Sequence, residues 1–563
     1  MKTLIKIILI LAVVSFYSCE EELTELNVNP NGVDPSVVNP NLVLPTVIAQ
    51  TANPYLTRNF EGHYAGVMQY IQKSGWSGPE NDFDWVGGQG WGGWYNNLRN
   101  ARHLYERAEA QGMEFQMGAA LVMRAFNFGF ITDTWGDAPY TMAIKAVEGE
   151  QENYFPVFDT QETIYRGIIN ELKEANTLLS KSPAQYSGIS PVADLLYAGD
   201  PAKWRKFANS LMLRYYMRVS DKLPDFARAG IEEIVANPGT YPIFTSNADD
   251  AAMAYGGTSN SDSWPRNKAY EDTGESFERV QLCAGIRDVL MGYNDPRLGV
   301  WFNPVRIQIQ VSEEYGGDVI VGGVRYLHPD HMEANNLVVY TPETWVADND
   351  AGKTLVDTNR FVGAPIAYNL SDASSYNLNP SPIQGGPNVH ASALADIYQL
   401  PSHPMLRARM ISYAEVCFIL AEAARKGWNV GSQQEWYEKG IEASFSTWGV
   451  SNNLAAYMSQ PGIVYDGSLE QIIEQKWIAN WTIAHESWAD WRRTGLPEMR
   501  WGTIGIRPNP PLRLQYDPNE ASRNLRNYQD AISRLVQTPF TAQDGNDSAW
   551  SKIWLLQGTG KPY

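Results

Sequence analysis

The chain has 563 residues, and its 44% of hydrophobic residues exclude a disordered protein. The 63 acidic residues outnumber the 44 Lys and Arg, so the formal net charge of -19 disfavours binding to nucleic acid or to an anionic membrane surface. Three cysteines are too few for a disulfide framework, whereas 19 Trp, 30 Tyr and 18 Phe are more rings than a core requires and suggest a surface that stacks on a ligand.

The start of the chain has the pattern of an export signal. A basic beginning and an unbroken apolar run at 7–14, too short to span a bilayer, predict a secretory signal over 1–18. Cys19 then stands where bacterial lipoproteins carry their acylated cysteine, and the three glutamates after it are similar to the export tag of surface lipoproteins in Bacteroidetes-type bacteria. The alternative is a plain secretory signal and a coincidental cysteine. We expect a lipid on Cys19 and a flexible tether over 19–40, which is rich in Pro and Asn.

Apolar residues recur every three or four positions in several segments, which is the spacing of one helix face. These segments are 164–179, 204–215, 411–421, 437–445 and 469–481. The stretch 119–131 is apolar nearly all round, which predicts a helix buried between neighbours. Helix pairs of this size indicate a mainly α fold built from tetratricopeptide-like helical hairpins, although their period is irregular.

The composition changes between about 240 and 400, where Gly, Pro, Asn and Ser are dense and helical stripes are few. Short strands are predicted there at 307–311, 318–321 and 337–340. We expect a loop-rich, ligand-binding insert that packs on a helical scaffold formed by 41–240 and 400–563, so that 41–563 is a single domain.

Five motifs follow one another along the chain. They are MRAF at 123–126 leading to DTWGDAP at 133–139, WRKFANSL at 204–211, NDPRL at 294–298, YAEVCFILAEA at 413–423 and ESWADWRRTG at 486–495. In this order they resemble the SusD/RagB family of outer-membrane nutrient-binding lipoproteins. The resemblance implies a lipid-anchored protein on the cell surface that captures oligosaccharide or polysaccharide. It also implies delivery of that ligand to a SusC-type TonB-dependent transporter in the outer membrane.

Motifs for cofactors and metals are sparse. The glycines at 88–93 satisfy GxGxxG, but no hydrophobic strand precedes them, which favours a flexible loop presenting Trp91 over a dinucleotide site. His328 and His331 flank a proline turn, which favours surface histidines over a metal clamp. Asp348 and Asp350 resemble part of a calcium loop without its bidentate glutamate. We therefore expect no cofactor and no metal.

Acid pairs are numerous, and one of them shares a helix face. Glu486 and Asp490 lie among tryptophans and arginines, which favours a structural network over an acid–base couple. We expect a binding protein rather than an enzyme. A peptide-binding protein of the same fold and, less favoured, a surface glycan hydrolase remain as alternatives.

Six aromatic residues fall between 76 and 95, interleaved with glycines. The apolar face of a sugar stacks on indole, while Asp, Asn and Arg bind hydroxyl groups at the rim. In the resembled family, glycan contacts come from the loop before the helix that follows Trp94, from the first turn of that helix and from the later insert. Carried over, this implicates Trp76, Asp82, Trp85, Trp91 and Asn97, and composition alone adds Trp264, Arg266, Tyr270, Trp301 and Trp345. For each tryptophan the alternative is packing in the core, which is the interpretation we favour for Trp94, Trp204, Trp477, Trp488 and Trp491.

Overall fold

The computed structural model describes residues 37–74, 78–270, 278–342, 352–366, 375–382, 387–499, 507, 509–541 and 544–563. Its first part is a series of helices, each packed on its neighbour along the chain from α4 to α8. They are α1 (Pro40–Phe60), α2 (His63–Val67), α3 (Pro79–Asp82), α4 (Gly92–Ala110), α5 (Glu114–Trp135), α6 (Gln161–Leu178), α7 (Pro201–Arg218) and α8 (Pro224–Ala236).

Local signals start and stop these helices. Asn39 caps α1 by accepting the N–H of Asn41 at 2.9 Å, and Thr160 caps α6 in the same manner. Helix α5 is buried along nearly its whole length, which confirms the prediction for 119–131. It ends at Gly136, whose φ of 101° favours glycine.

The insert between the two helical parts holds short helices and most of the strands. Its helices are α9 (Ala284–Gly292), α10 (Leu298–Trp301) and α11 (Pro329–Ala334). The strands of the whole chain are β1 (Ile71–Lys73), β2 (Ala251–Ala254), β3 (Val280–Leu282), β4 (Gln308–Val311), β5 (Asp318–Val321), β6 (Val324–Leu327), β7 (Leu337–Val339), β8 (Thr354–Val356) and β9 (Arg407–Ile411). The three strands predicted in the insert are thus confirmed, with ends shifted by at most one residue.

Strand pairing ties the insert to the scaffold. β1, from the first helical part, pairs antiparallel with β3, so that Lys73 lies opposite Val280. β2 and β9, at the two ends of the insert, pair antiparallel with each other and pack on α1. Inside the insert, β4, β6 and β5 form a three-stranded sheet in that order, and β7 pairs parallel with β8.

The second helical part completes the scaffold. It contains α12 (Tyr413–Arg425), α13 (Gln433–Thr447), α14 (Leu454–Met458), α15 (Leu469–Ala479), α16 (Ala484–Thr494), α17 (Glu520–Arg523) and α18 (Leu525–Ser533). α12 packs on α13 and on α7, while α16 packs on α1 and α7, so both helical parts share one core. The mainly α, helical-hairpin fold is confirmed, except that Ile411 ends a strand instead of beginning a helix. In the described ranges, no helix has the length and apolar character needed to cross a membrane.

The acid pair on α16 belongs to a buried ionic network. Glu486 contacts Arg218 and lies 3.3 Å from Arg214, and Asp490 lies 2.7 Å from Lys476. Burial raises the pKa of Glu486, but the two arginines and His485 together hold it well below its usual range. The interpretation as a structural network is therefore confirmed, because each carboxylate is paired with buried cations.

Candidate functional site

A polar cleft of about 310 Å³ opens in the insert, and we call it the insert cleft. Its volume lies at the lower end of the range of small-ligand pockets, about 300 to 1,000 Å³. Three separate parts of the chain meet there. They contribute Glu278, then Asn303, Pro304 and Arg306, then Pro387, Asn388, Ala391, Ala393, Leu394, Asp396 and Gln399.

Backbone hydrogen bonds join these parts into one frame. The N–H of Asn303 donates to the carbonyl of Ala393 at 2.9 Å, and the N–H of Lys268 donates to that of Gln399 at 2.8 Å. At the end of β1, the N–H of Ser74 donates to the carbonyl of Arg279, the neighbour of Glu278. Main-chain contacts therefore hold part of the frame of the cleft.

The polar side chains at the cleft form two groups. Asp396 accepts hydrogen bonds at Oδ1 from Asn303 Nδ2 at 2.9 Å and from Gln399 Nε2 at 3.0 Å. Its Oδ2 receives no hydrogen bond from any described residue. Arg306, whose side chain is 54% exposed, pairs with Glu278 at 2.7 Å. Within one cleft, a carboxylate with a free oxygen and an open guanidinium provide an acceptor and several donors for the hydroxyl groups of a ligand.

A buried histidine fixes the segment that carries Asn388. His390 Nδ1 lies 2.8 Å from the carbonyl oxygen of Ile307, and its Nε2 lies 3.2 Å from Arg325 Nη1. Burial lowers the pKa of His390, and Arg325 lowers it further. The neutral ring therefore donates from Nδ1 and accepts at Nε2. These two bonds tie the 387–391 segment to Ile307, directly before β4, and to Arg325 on β6.

The aromatic loop before α4 is closed. Trp85 is buried, donates its indole N–H to the carbonyl of Pro79 at 2.9 Å, and packs on Trp488 with ring centroids 5.5 Å apart. Trp91 is also buried, and its indole N–H donates to Glu520 Oε1 at 3.1 Å. The expectation that this loop offers its rings to a ligand is wrong for the described conformation, and core packing, the stated alternative, applies.

Two polar residues predicted beside these rings are buried as well. Asn97 donates from Nδ2 to the carbonyl of Val47 at 3.1 Å and to Thr51 Oγ1 at 2.8 Å, so its amide holds α4 to α1 and does not face a ligand. Asp82 accepts the N–H of Asp84 at 3.0 Å, and burial raises its pKa. Contact of Asp82 with a glycan stays a prediction.

The glycine spacing at 88–93 explains why the loop closes. Gly88 has a φ of 60°, and a Cβ there would lie 2.5 Å from the carbonyl oxygen of Tyr516 and 2.7 Å from Pro518. Its N–H and that of Gly87 both donate to Gln515 Oε1. The glycines therefore let the loop lie against 515–518 and bury Trp91, where the sequence suggested a flexible loop presenting that ring.

The insert tryptophans are core residues too. Trp264 and Trp301 are 0% exposed, and Trp301 stacks on Trp481 with centroids 5.4 Å apart. Trp264 packs on Phe60. Their predicted stacking on a sugar is corrected, because no ring face is accessible. Trp301 instead supports the cleft, since its carbonyl accepts the N–H of Ala395 at 3.0 Å.

The remaining predicted residues have different positions. Arg266 lies in the left-handed region with a φ of 73°, pairs with Glu61, and keeps 29% of its side chain exposed. Tyr270 is 39% exposed. Both stay predictions as glycan contacts. Cys19, Trp76, Trp345, Asp348 and Asp350 lie outside the described residues.

Sequence reasoning did not identify Asn303, Arg306 or Asp396. The only local signal is the Asn303-Pro304 pair, which begins two residues after Trp301 and marks a turn. His328 lies directly before α11 and His331 lies on it. His328 accepts the N–H of Asp330. Within the described ranges, no group of three or more His, Cys, Asp or Glu is arranged to hold a metal ion.

The family model that this chain matches and solved structures that it resembles are SusD-like. A SusD-like family model, described as "Starch-binding associating with outer membrane", matches residues 32–338 and 349–517. A SusD homologue from Bacteroides fragilis is 23% identical, with a TM-score of 0.65 over 92% of this chain and 99% of that one. A chitin-binding SusD homologue from Flavobacterium johnsoniae is 20% identical, with a TM-score of 0.67 over 92% and 99%. No curated protein matches. At this identity the structural likeness shows a shared fold.

Proposed function

This chain belongs to the SusD-like family of proteins that bind starch and associate with the outer membrane, and from that premise we propose that it captures an oligosaccharide or polysaccharide in the insert cleft without cleaving it. It then delivers the glycan to a SusC-type TonB-dependent transporter. The observation that carries the proposal is the cleft itself, where Asp396 and Arg306 face an open space within a frame of backbone hydrogen bonds.

The cleft suits a hydroxyl-rich ligand. Asp396 Oδ2 is an acceptor for a sugar hydroxyl, and Arg306 has donors beyond its contact with Glu278. Pro304 and Ala393 add apolar surface against which the C–H groups of a sugar pack. None of the described residues that line the cleft is aromatic, so recognition rests on hydrogen bonds exchanged with water. Such binding is weak enough to release the ligand to a second protein.

Capture at the cell surface requires an anchor, which we assign to Cys19. The signal-like start of the chain and the family description support this assignment. Acyl chains stabilise membrane attachment by about 0.8 kcal/mol per buried methylene, and more than one chain gives stable anchoring. Cys19→Ala should release the protein from membranes of cells that lack the transporter. Retention of the variant in the outer-membrane fraction would contradict the anchor.

The binding proposal is tested by calorimetry on glycans selected from an array. Asp396→Ala should weaken binding by about tenfold to a hundredfold, because a hydrogen bond to a charged group contributes about 1.5 to 3 kcal/mol. The matched control is Asp330→Ala in the same insert, since 91% of the Asp330 side chain is exposed and it does not line the cleft. We expect its affinity to equal that of the wild type.

Three results would refute this assignment. Equal affinity of Asp396→Ala and the wild type would remove the cleft as the site. Binding to a peptide array in place of the glycan array would establish the peptide-binding alternative. New reducing ends after incubation with the bound polysaccharide would establish a hydrolase.

A further inference from the structure

The tryptophans that remain accessible identify a second place on the molecule. Of the 19 Trp, three (Trp76, Trp345 and Trp501) lie outside the described residues and 13 are buried. This leaves Trp428, Trp436 and Trp554 partly exposed. Two of these three, Trp428 and Trp554, line adjacent cavities on the helical scaffold, outside the insert.

The two cavities share a wall. The one lined by Trp554 has a volume of about 270 Å³ and the one lined by Trp428 about 630 Å³, and Gln557 lines both. Lys222 lines the larger cavity, donates to the carbonyl of Gln557 at 2.6 Å, and holds its ammonium 5.4 Å from the centroid of the Trp554 ring. We call the combined space the scaffold groove.

The polar groups of the scaffold groove have free capacity. Neither the indole N–H of Trp428 nor that of Trp554 reaches an acceptor in the described residues, whereas that of Trp436 donates to the carbonyl of Val430 at 2.8 Å. Gln557 uses its Nε2 on two carbonyls, and no residue in the described part of the chain donates to its Oε1. At the far wall, Lys426 and Asp221 lie 3.4 Å apart. The groove thus combines two partly exposed indole rings with donors and acceptors that a ligand can occupy.

We propose that the scaffold groove is a second oligosaccharide-binding site, with Trp428 and Trp554 stacking on sugar faces and Lys222 and Gln557 bonding to hydroxyl groups. This inference rests on the proposed function, because it assigns a second place to the same class of ligand. A protein partner fits less well, because Asp221, Lys222 and Lys426 line the larger cavity and such charged residues are depleted from the core of protein interfaces.

Oxidative footprinting of the full-length chain tests the proposal without mutation. The protein is labelled with hydroxyl radicals alone and with pooled hexasaccharides of starch and of chitin, and oxidation of each tryptophan is read by mass spectrometry. We expect the sugars to protect Trp428 and Trp554 but not Trp436, which serves as the internal control. Equal oxidation of all three with and without sugar would overturn the proposal.

Substitutions separate this site from the insert cleft. Trp554→Ala and Trp428→Ala should each weaken binding at the groove by about thirtyfold, the effect of truncating a ring at a binding hot spot, while Trp436→Ala should not. Asp396→Ala should leave the protection of Trp428 and Trp554 intact. If Asp396→Ala abolishes all binding and the two rings are never protected, the groove is not a site and the proposed function stands.

Two further results bear on the inference. If neither site binds either sugar pool, the proposed function and the second site both fail. If the two rings are protected by the purified transporter but not by sugar, the groove is a protein interface and the inference is wrong.

Discussion

The aromatic loop at 78–91 and the insert cleft differ in what they leave open to solvent. The loop carries Trp85 and Trp91, yet both rings are buried and both indole N–H groups are satisfied inside the protein. None of the described residues that line the cleft is aromatic, but its side chains Asp396 and Arg306 face open space. A high aromatic content therefore marks a large core here, and free hydrogen-bonding capacity is the better indicator of a ligand site.

The largest expected effect concerns the closed loop. Trp91→Ala should lower the free energy of unfolding by about 3 to 5 kcal/mol, because the ring packs on Trp135 and Tyr516 in the core. Glycan affinity of the folded variant should not change. The measurement is a melting curve paired with calorimetry.

Trp436→Ala is the control for that experiment, since its ring is partly exposed and should contribute less stability. A Trp91→Ala protein that keeps its melting temperature and loses glycan affinity would reverse the comparison. It would make the loop, not the cleft, the binding site.

A smaller effect is expected from the glycine that lets the loop close. Gly88→Ala should cost about 1 to 3 kcal/mol of stability, because the new Cβ meets the carbonyl of Tyr516 and the backbone must hold a positive φ. Gly112→Ala is the matched control, because Gly112 has a φ of 64° and a Cβ there would meet no atom within 4 Å. The difference between the two melting temperatures measures the clash alone, and equal losses would contradict the account of loop closure.

The sequence predicted the parts of the fold that depend on local pattern. The stripe at 164–179 is α6, and the strand at 318–321 is β5, because periodicity and turn residues act within a few positions. Burial of Trp91 depends on Tyr516 and Glu520, more than 400 positions away. No local pattern contains that information, so the loop looked exposed.

The insert cleft was missed for the same reason. Asp396 is oriented by Asn303, which is 93 positions earlier, and neither residue stands in a distinctive local pattern. The family resemblance pointed to the insert as a whole, and composition then favoured its tryptophans. Trp301 does lie next to the cleft, but as support for its backbone.

A modest effect on affinity should sharpen the account of the cleft. Asn303→Ala removes the donor that orients Asp396 and should weaken glycan binding by about fivefold, since an ordinary hydrogen bond contributes about 1 kcal/mol. Asn335→Ala, an exposed asparagine on the same insert, is the control. An unchanged affinity would show that Asp396 does not need this bond.

The smallest expected effect compares one histidine from each region as pH falls, the partly buried His63 and the buried His390. In the scaffold beneath the loop, His63 packs edge-on against Trp85 at 5.2 Å, and burial, aided by Arg58, lowers its pKa to about 4. In the insert, burial lowers the pKa of His390. In the unfolded chain a histidine takes up a proton below about pH 6.5, whereas in the folded protein these two histidines resist protonation. Their contribution to the free energy of unfolding is therefore fully present above that pH and is lost as pH falls.

Between pH 7.5 and 5.5, His63 should account for a loss of about 1 kcal/mol in the free energy of unfolding. In His63→Gln the melting temperature should therefore fall less over this range than in the wild type. The melting temperature of His390→Gln should also fall less than that of the wild type. Other titrating groups are common to all three proteins and cancel in the difference. Parallel curves for wild type and His63→Gln would mean that the ring under Trp85 is accessible to protons, and hence that the loop is more open than the cleft.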